Sequence, residues 1–245
     1  DESLVIPGEL SLPYYTPFGL RYLNFGDESC CHLIVAGATR MGKTVFLRLL
    51  FVHLILATEG KIKFYYINNK LEDYYPLAGV PQIPEPAETI ADAFAMLNEA
   101  KREIASRKAK LRASRDAVNV KQYNQKHPED YIPPLFVVFD EYGRFAEDED
   151  LQALVTEIAE TAGYLDVHLV IATQRPDATT VLKPRIRANI LTRVCFQTAD
   201  EKNSEIVVHT PDAYNLGQIR GRAIILDGIP MLAQIPYLSE DRTME

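Results

Sequence analysis

The chain has 245 residues and a formal net charge of −8; 47% of its residues are hydrophobic and 24% are charged. These values are ordinary for a folded globular protein, and they exclude a disordered chain and a uniformly basic nucleic-acid-binding domain. The three cysteines form no CxxC pair, which argues against a disulfide scaffold, a structural zinc site and a cysteine nucleophile.

The first residues, DESLVIPGEL, include no methionine and have neither the basic nor the apolar region of a signal peptide. The longest apolar run, VFLRLLFVHLILA, is too short to span a bilayer and contains an arginine and a histidine. We therefore expect a fragment of a longer protein that lies at the cytoplasmic face, with any membrane anchor outside the present sequence.

Hydrophobic patterns along the chain predict one α/β domain over residues 1–245. A Pro/Tyr-rich N-terminal segment, 1–29, precedes a core over 30–240 in which apolar strands alternate with helices. Fully apolar strands in this alternation indicate a mostly parallel central sheet flanked by helices on both faces. The predicted strands lie at 32–36, 62–68, 135–141, 168–174, 193–197, 222–226 and 231–236, and the predicted helices at 43–58, 89–114 and 150–162.

A glycine-containing loop between the first predicted strand and the first predicted helix matches the pattern GxxxxGK[ST]. The glycines let successive backbone N–H groups face a phosphate chain, to which the following helix presents its positive end. Lys43 is expected to bridge the β- and γ-phosphates, and the Thr44 hydroxyl to bind Mg²⁺. The predicted phosphate-binding residues are Gly37, Ala38, Thr39, Arg40, Met41, Gly42, Lys43, Thr44 and Val45.

Two acids end the apolar run LFVVFDE, where the carboxyl end of a buried strand can bring them to the phosphates. Asp140 is predicted to bind the metal, and Glu141 to polarise the water that attacks the γ-phosphate. At the end of another apolar strand, Gln174 in VIATQRP is predicted to sense the γ-phosphate through hydrogen bonds. Together these residues favour hydrolysis of the nucleotide.

Two other classes of nucleotide-binding protein fit the sequence less well. A GTPase needs an N-K-x-D motif, and the nearest candidate, Asn69 to Glu72, ends in the wrong acid and follows too early a strand. A small-molecule kinase usually lacks the adjacent Asp-Glu pair, because it must not activate water.

Several segments resemble the FtsK/SpoIIIE family of ring-forming motor ATPases, over roughly residues 30–240. They are the loop HLIVAGATRMGKT, the strand ends FVVFDE and HLVIATQRP, and the segments NVKQYN, RIRANILTRVCFQ and IPYLSED. Lys70 matches the lysine of the family's DPK segment, whose Asp and Pro are replaced by two asparagines. Arg40 and Met41 stand where the family's loop usually has a small polar residue and a glycine.

The resemblance implies a RecA-like P-loop NTPase fold, with ATP hydrolysis at the subunit interfaces of a homo-hexameric ring that moves a polymer. In most branches the polymer is double-stranded DNA; in the EssC-like branch of type VII secretion it is protein, and conjugative coupling proteins move DNA strands. An ATPase of this kind needs a positive group from the neighbouring subunit. Among Arg185, Arg187 and Arg193, we favour Arg193 and Arg187 for that role.

The positive charge of the chain is concentrated in one segment. Residues 101–126 contain nine Lys/Arg and two acids, a net charge of +7, so the remainder of the chain carries −15. This segment and the basic segment 183–193 are candidates for contact with the polymer, which would make binding strongly dependent on salt. For residues 101–126, we favour the simpler explanation that the basic residues form a solvated helix face.

Three functions remain open at this stage. The first is a DNA-translocating ATPase in conjugative or plasmid transfer or in chromosome transport, and the second is a type VII secretion ATPase that acts on protein. The third is a module that binds ATP and assembles a ring without hydrolysis. The complete set of Lys43, Thr44, Asp140 and Glu141 argues against the third function.

Overall fold

One nine-stranded sheet runs through the computed structural model, which describes residues 2–26 and 30–244; the predicted boundary at residue 29 lies outside them. The strands are β1 (Ser11–Thr16), β2 (Gly19–Asn24), β3 (Leu33–Ala36), β4 (Lys63–Asn68), β5 (Leu135–Asp140), β6 (Val167–Thr173), β7 (Thr192–Phe196), β8 (Arg222–Asp227) and β9 (Ile229–Gln234). The α-helices are α1 (Lys43–Ala57), α2 (Leu71–Tyr74), α3 (Ile90–Ser114), α4 (Val120–Lys126), α5 (Glu149–Thr161), α6 (Pro184–Asn189), α7 (Glu201–Val208) and α8 (Glu240–Met244).

The sheet has a parallel centre and an antiparallel extension. Its strands follow the order β2-β1-β9-β8-β7-β3-β6-β5-β4, and the five strands from β7 to β4 are parallel. The other four strands extend the sheet beside β7 in antiparallel pairs. The predicted α/β fold with a parallel central sheet is thus confirmed, and the extension makes the sheet as a whole mixed.

Strand β3 lies within the parallel region, between β6 and β7. The chain leaves β3 through a loop into α1 and re-enters the sheet at its far edge, in β4. In such sheets, ligands bind beyond the carboxyl ends of the strands, where the strand order reverses. The topology therefore places a binding site at the end of β3, where the sequence has its glycine-containing loop.

Helices cover the two faces of the sheet and form two apolar cores. On one face, α1 packs with residues of β1, β2 and the alternate positions of the central strands. On the other face lie α3, α5, α6 and α7. Strands β3, β5 and β6 are buried along their whole length because both faces are covered. None of the described helices is long and apolar enough to cross a membrane.

The long helix α3 begins and ends at identifiable signals. The Thr89 side chain accepts a hydrogen bond from the Asp92 N–H at 3.1 Å, and the Asp92 side chain accepts one from the Thr89 backbone, which forms a capping box. The helix ends before Arg115, whose φ of 58° lies in the left-handed region. The predicted helix over 89–114 therefore differs from the structure only in counting the cap as its first residue.

The elements that the sequence pattern did not predict are short or contain proline. The hairpin of β1 and β2 lies in the Pro/Tyr-rich N-terminal segment, and Pro13 is a residue of β1. Because β1 pairs with β9 only at Tyr15, the missing N–H of Pro13 interrupts no ladder with that strand. Helices α4, α6 and α7 have at most eight residues, too few for a clear helical period.

A proline-rich segment, 81–87, follows the outer edge of β4. It pairs with β4 through one residue, because the Ala87 N–H donates to the Tyr66 carbonyl at 2.9 Å and the Asn68 N–H donates to the Ala87 carbonyl at 3.1 Å. Prolines at positions 81, 84 and 86 have no N–H group to donate. The segment thus lies along the edge of the sheet without forming a tenth strand.

Candidate functional site

The loop between β3 and α1, residues 37–42, lies at the carboxyl edge of the parallel strands. Gly37 has a φ of 151°, and a Cβ atom at this position would lie 2.6 Å from the Cβ of Phe196. Gly42 has a φ of 128° and directly precedes α1. Both glycines are therefore required by the backbone, as the phosphate-binding pattern predicts.

Arg40 and Met41, where the loop departs from the family's usual sequence, have different surroundings. Arg40 is exposed, has a φ of 65° and lies at the wall of a cavity beside the loop. The Met41 side chain packs against the apolar core on the α1 face, and its carbonyl accepts a hydrogen bond from the Gly221 N–H at 2.9 Å. The bulk of Met41 is thus accommodated by the core, whereas the charge of Arg40 stays beside the cavity.

Lys43, the first residue of α1, is 7% exposed, and its ammonium group donates a hydrogen bond to the Gly37 carbonyl at 2.8 Å. Burial lowers the pKa of Lys43, while the nearby Glu141 and Asp140 carboxylates act in the opposite direction. The lysine therefore lies within the curve of the loop, where a phosphate chain would supply stronger acceptors than a carbonyl.

Asp140 is the last residue of β5 and lies in the same buried environment. Burial, and next the Asp73 carboxylate, raise its pKa to about 6, although Lys43 opposes this shift. Its Oδ2 atom is buried and has no hydrogen-bond partner. A carboxylate oxygen in this position and the Thr44 hydroxyl on the cavity wall are the hard donors that Mg²⁺ prefers, so these residues fit the predicted metal.

Glu141 follows β5 directly, in a left-handed conformation with φ 70° and ψ 57°. Such backbone angles are unfavourable for a residue with a side chain and are found preferentially at functional sites. The Oε1 atom accepts a hydrogen bond from the Gln174 N–H at 3.1 Å, while Oε2 is buried and has no partner. The predicted strand 135–141 therefore ends one residue earlier, and the turn redirects the Glu141 side chain towards β6.

Gln174, which follows β6, joins this arrangement to the phosphate loop. The Thr39 hydroxyl donates a hydrogen bond to Oε1 of Gln174 at 2.9 Å. This bond leaves the amide nitrogen of Gln174 available as a donor, which is the group that a γ-phosphate would accept from. The carboxyl ends of β3, β5 and β6 thus bring the loop, Asp140, Glu141 and Gln174 together.

A cavity of about 670 Å³ lies beside the loop. Its walls include most of the predicted phosphate-binding residues together with Asp140 and Gln174. The remaining wall residues, apart from Lys70, were not predicted as site residues: Arg48, Glu72, Asp73, Arg220, Gly221, Gln234, Ile235, Pro236, Tyr237 and Glu240. For Arg48, the signal in the sequence was a charged residue inside an otherwise apolar helix, just after the loop.

The structure does not present Arg193 to a neighbouring molecule. Its side chain is 4% exposed and donates hydrogen bonds to the carbonyls of Val207 at 2.9 Å and Arg187 at 2.8 Å. This burial is at odds with the predicted role in a neighbouring active site, because the guanidinium group is satisfied within its own chain. Arg187 itself is half-buried on α6, and its Nε atom has no hydrogen-bond partner.

Much of the basic segment 101–126 is engaged within the chain. Arg107 is 1% exposed and donates hydrogen bonds to the carbonyls of Pro133 at 2.7 Å and Leu165 at 2.8 Å. Lys101 and Lys110 form ion pairs with acids of neighbouring elements. Since the two carbonyls precede β5 and β6, Arg107 lies at the opposite edge of the sheet from the phosphate loop. These contacts within the chain favour a solvated helix face over contact with a polymer for residues 101–126.

Comparison with known sequences finds one family model and several relatives. The model of the FtsK/SpoIIIE family matches residues 21–213. The DNA translocase FtsK of Caldanaerobacter subterraneus subsp. tengcongensis is 29% identical over 189 residues, which are 76% of this chain and 26% of that protein. The DNA translocase SftA of Bacillus subtilis is 28% identical over 192 residues, again 76% of this chain and 20% of that protein. The chain thus spans about a quarter or less of the length of these two curated relatives.

Solved structures share the fold of the chain. The pCW3 conjugation coupling protein TcpA, in a monomer form with ATPγS, has a TM-score of 0.87 at 24% identity, covering 99% of this chain and 70% of that one. The cytoplasmic domain of the type VII secretion ATPase EccC of Thermomonospora curvata has a TM-score of 0.82 at 20% identity, covering 95% and 29% respectively. At these identities the likeness extends to the fold alone.

Proposed function

The chain belongs to the FtsK/SpoIIIE family, and on that premise we propose that it is the motor domain of an ATPase that translocates double-stranded DNA. The observation that carries the proposal is that Lys43, which follows the loop after β3, lies near Asp140 and Glu141 at the end of β5, with an unpartnered oxygen on each acid. The names of the relatives FtsK and SftA, both DNA translocases, support DNA as the polymer.

Hydrolysis at this site would use the two acids differently. Glu141 has one oxygen held by the Gln174 N–H and one without a partner, so the free oxygen can accept a proton from water. The water oxygen would then form a bond to the γ-phosphorus while the bond from phosphorus to the bridging oxygen of ADP breaks. The Lys43 ammonium group would stabilise the negative charge that develops on these oxygens.

Thr44 and Asp140 are the residues that we propose for Mg²⁺. When bound, the ion would neutralise charge on the β- and γ-phosphates. The buried Oδ2 of Asp140, which has no partner within the chain, supports this assignment. The burial that raises the pKa of Asp140 also leaves little water to compete for the carboxylate.

We further propose a homo-hexameric ring in which Arg187 reaches the site of the neighbouring subunit. Of the three candidate arginines, Arg193 is buried and satisfied, and Arg185 pairs with Glu160 at 2.8 Å. Arg187 is half-buried, and its guanidinium group forms no hydrogen bond or ion pair with the residues that the structure describes, although its Nε atom is itself buried. A cation supplied in this way would couple hydrolysis to the contact between subunits, which is what a translocating ring requires.

The site proposal is tested by phosphate release from the chain at several protein concentrations, with and without double-stranded DNA at low salt. We expect DNA to stimulate turnover, and Glu141→Gln to lower it by about 10²-fold or more while ATP still binds. The matched control is Glu147→Gln, which removes an exposed acid six residues further along the chain and should leave turnover unchanged.

Other outcomes would select the alternatives. If DNA changes neither turnover nor the electrophoretic mobility of the protein, the DNA proposal is wrong, and stimulation by a secreted polypeptide would favour the type VII function. If ATP binds but no phosphate is released at any protein concentration, the chain is a non-hydrolysing module.

A further inference from the structure

We propose that Arg48 and the C-terminal segment, residues 234–240, bind the nucleoside part of the nucleotide. The ribose hydroxyls would lie against Arg48 and Glu240, and the base against Tyr237. The proposal rests on nucleotide binding at the phosphate loop, as set out above, and assigns the half of the cavity that the phosphates do not use.

Backbone hydrogen bonds hold the C-terminal segment against the phosphate loop. The Gly221 N–H donates to the Met41 carbonyl at 2.9 Å, and the Ile235 N–H donates to the Gly221 carbonyl at 2.8 Å. Met41 belongs to the phosphate loop. Two successive backbone hydrogen bonds therefore connect the start of the C-terminal segment to the loop that is expected to hold the phosphates. Within this segment, residues 234–237 and Glu240 line the cavity.

Arg48 lines the same cavity as the loop and this segment. It follows Thr44 by four residues, which places it about 6 Å further along the axis of α1. Its side chain is 6% exposed, and one terminal nitrogen bonds to Oε1 of Glu240 at 2.9 Å. The Nε atom is buried and has no hydrogen-bond partner. A buried donor in the wall of a cavity that finds no partner within the described chain needs an acceptor from outside the protein, and we assign that acceptor to the nucleotide.

The chemistry of the pair suits a ribose. A hydroxyl group both donates and accepts, so one hydroxyl can donate to the Glu240 carboxylate and another can accept from Arg48. The Glu240 side chain is 68% exposed, which leaves its carboxylate accessible after the bond to Arg48 is made. Carboxylates hold ribose hydroxyls in the same way in dinucleotide-binding domains.

Tyr237 offers a surface for the base. It is 79% exposed although it lies at the cavity wall, between Pro236 and the start of α8. An exposed aromatic ring beside a nucleotide cavity presents a face on which a base can stack. The phosphates, sugar and base would then extend from Lys43 past Arg48 to Tyr237, in the order in which they are connected.

A purely structural role for the pair makes a different prediction. If Arg48 and Glu240 only fix α8 to α1, their loss should weaken every ligand of the cavity to a similar extent. If they bind the sugar, only ligands that contain a nucleoside should be affected. Inorganic tripolyphosphate, which has the phosphate chain alone, separates the two roles.

The experiment is calorimetric titration of the whole chain, in the presence of Mg²⁺, with ATP, 2′-deoxy-ATP and tripolyphosphate. The variants Glu240→Gln and Tyr237→Ala change exposed side chains, so the fold should be retained. Each is expected to raise the Kd for ATP by about tenfold, the effect of one good polar or stacking contact. The Kd for tripolyphosphate should change less than about twofold in both variants.

Matched controls are Asp241→Asn, which neutralises the exposed acid next to Glu240, and Tyr164→Ala, which removes a ring 51% exposed elsewhere. Both should bind all three ligands like the unmodified chain. The unmodified chain should also prefer ATP to 2′-deoxy-ATP, and Glu240→Gln should lose that preference.

Two results would overturn the inference while leaving the proposed function intact: an unchanged Kd for ATP in both variants, or an equal loss of ATP and tripolyphosphate. Failure of the unmodified chain to bind either ligand would overturn the proposed function and this inference together.

Discussion

The Thr39 hydroxyl donates a hydrogen bond to Oε1 of Gln174 at 2.9 Å and so joins the phosphate loop to the end of β6. The backbone N–H of the same glutamine donates to Glu141 at 3.1 Å. A change in the loop on nucleotide binding can therefore reach the proposed base through a single residue. The phosphate loop and the Glu141 carboxylate are both hydrogen-bonded to Gln174.

The first prediction concerns this connection. Gln174→Ala should lower the rate of phosphate release by about 10²-fold, because the proposed donor to the transferring phosphate and the hydrogen bond to Thr39 are lost together. Thr39→Val should lower the rate by less than about tenfold. Thr39→Ser keeps the hydroxyl and should have the rate of the unmodified chain. ATP affinity, measured by calorimetry, should stay nearly constant in all three variants. A loss of binding that parallels the loss of rate would contradict the assignment.

A second prediction separates the two arginines of the 183–193 segment. Arg193→Ala should lower the free energy of unfolding by about 3 kcal/mol, because it removes a buried group with several carbonyl acceptors. Arg187→Ala should leave the unfolding midpoint nearly unchanged and, if the chain forms the proposed ring, lower its turnover by about 10³-fold. Urea denaturation and phosphate release at ring-forming concentrations measure the two effects. Full turnover in Arg187→Ala would contradict the proposed role of Arg187.

A third prediction uses Arg107, the buried member of the basic segment. Arg107→Met should lower the free energy of unfolding by about 3–5 kcal/mol, since it leaves the Glu103 carboxylate and several carbonyls without their donor. Arg112→Met removes the same charge from an exposed position of the same helix and should cost less than about 0.5 kcal/mol. Equal destabilisation by the two substitutions, measured by urea denaturation, would show that charge rather than burial matters.

A fourth prediction is that the free energy of unfolding depends on pH through the titration of His32. Burial lowers the pKa of this histidine to about 3, and its Nδ1 atom accepts a hydrogen bond from the Leu169 N–H at 3.0 Å, which requires the neutral ring. The stability that neutral His32 contributes is complete above its unfolded pKa of about 6.5 and is lost as the pH falls towards about 3. Between pH 7 and pH 5 the loss should reach about 2 kcal/mol.

His32→Asn tests this directly, because the amide oxygen can replace Nδ1 as the acceptor but does not take up a proton. At pH 7 the variant should be the less stable protein, since the larger ring packs better, and the difference should shrink steadily as the pH approaches 5. Thermal unfolding at a series of pH values gives the comparison. Parallel curves for the two proteins would assign the pH dependence to other groups.

A fifth prediction compares two glycines with positive φ angles. Gly37→Ala should abolish ATP binding, because the added Cβ would lie 2.6 Å from the Cβ of Phe196 and displace the loop. Gly79 has a φ of 84°, but no atom lies within 4 Å of a Cβ added there. Gly79→Ala should therefore lower the free energy of unfolding by only about 1 kcal/mol and leave ATP binding intact. Calorimetric titration with ATP distinguishes the two. Retained binding in Gly37→Ala would show that the loop tolerates a shifted backbone.

Much of this arrangement could be predicted from the sequence, since its signals are local. The loop, the strand ends at Asp140 and Gln174, and the limits of α3 all depend on neighbouring residues: two glycines, buried apolar runs and a capping threonine. The surroundings of Arg193 could not be predicted, because its acceptors lie on α6 and α7, which are too short to give a pattern. The ion pair between Arg48 and Glu240 could not be predicted either, because residues so distant in the chain come together only in the folded protein.

The prolines at 81, 84 and 86 beside β4 have a consequence for assembly. A free edge strand presents unpaired N–H and C=O groups, to which an extended segment of another molecule can add as a further strand. At the end of β4, Ala87 already uses the backbone groups of Tyr66 and Asn68, and the prolines beside it have no N–H groups to offer, so another chain would find few backbone partners there. Association at this end of β4 would then depend on side-chain contacts, which are more readily broken and remade than a backbone ladder.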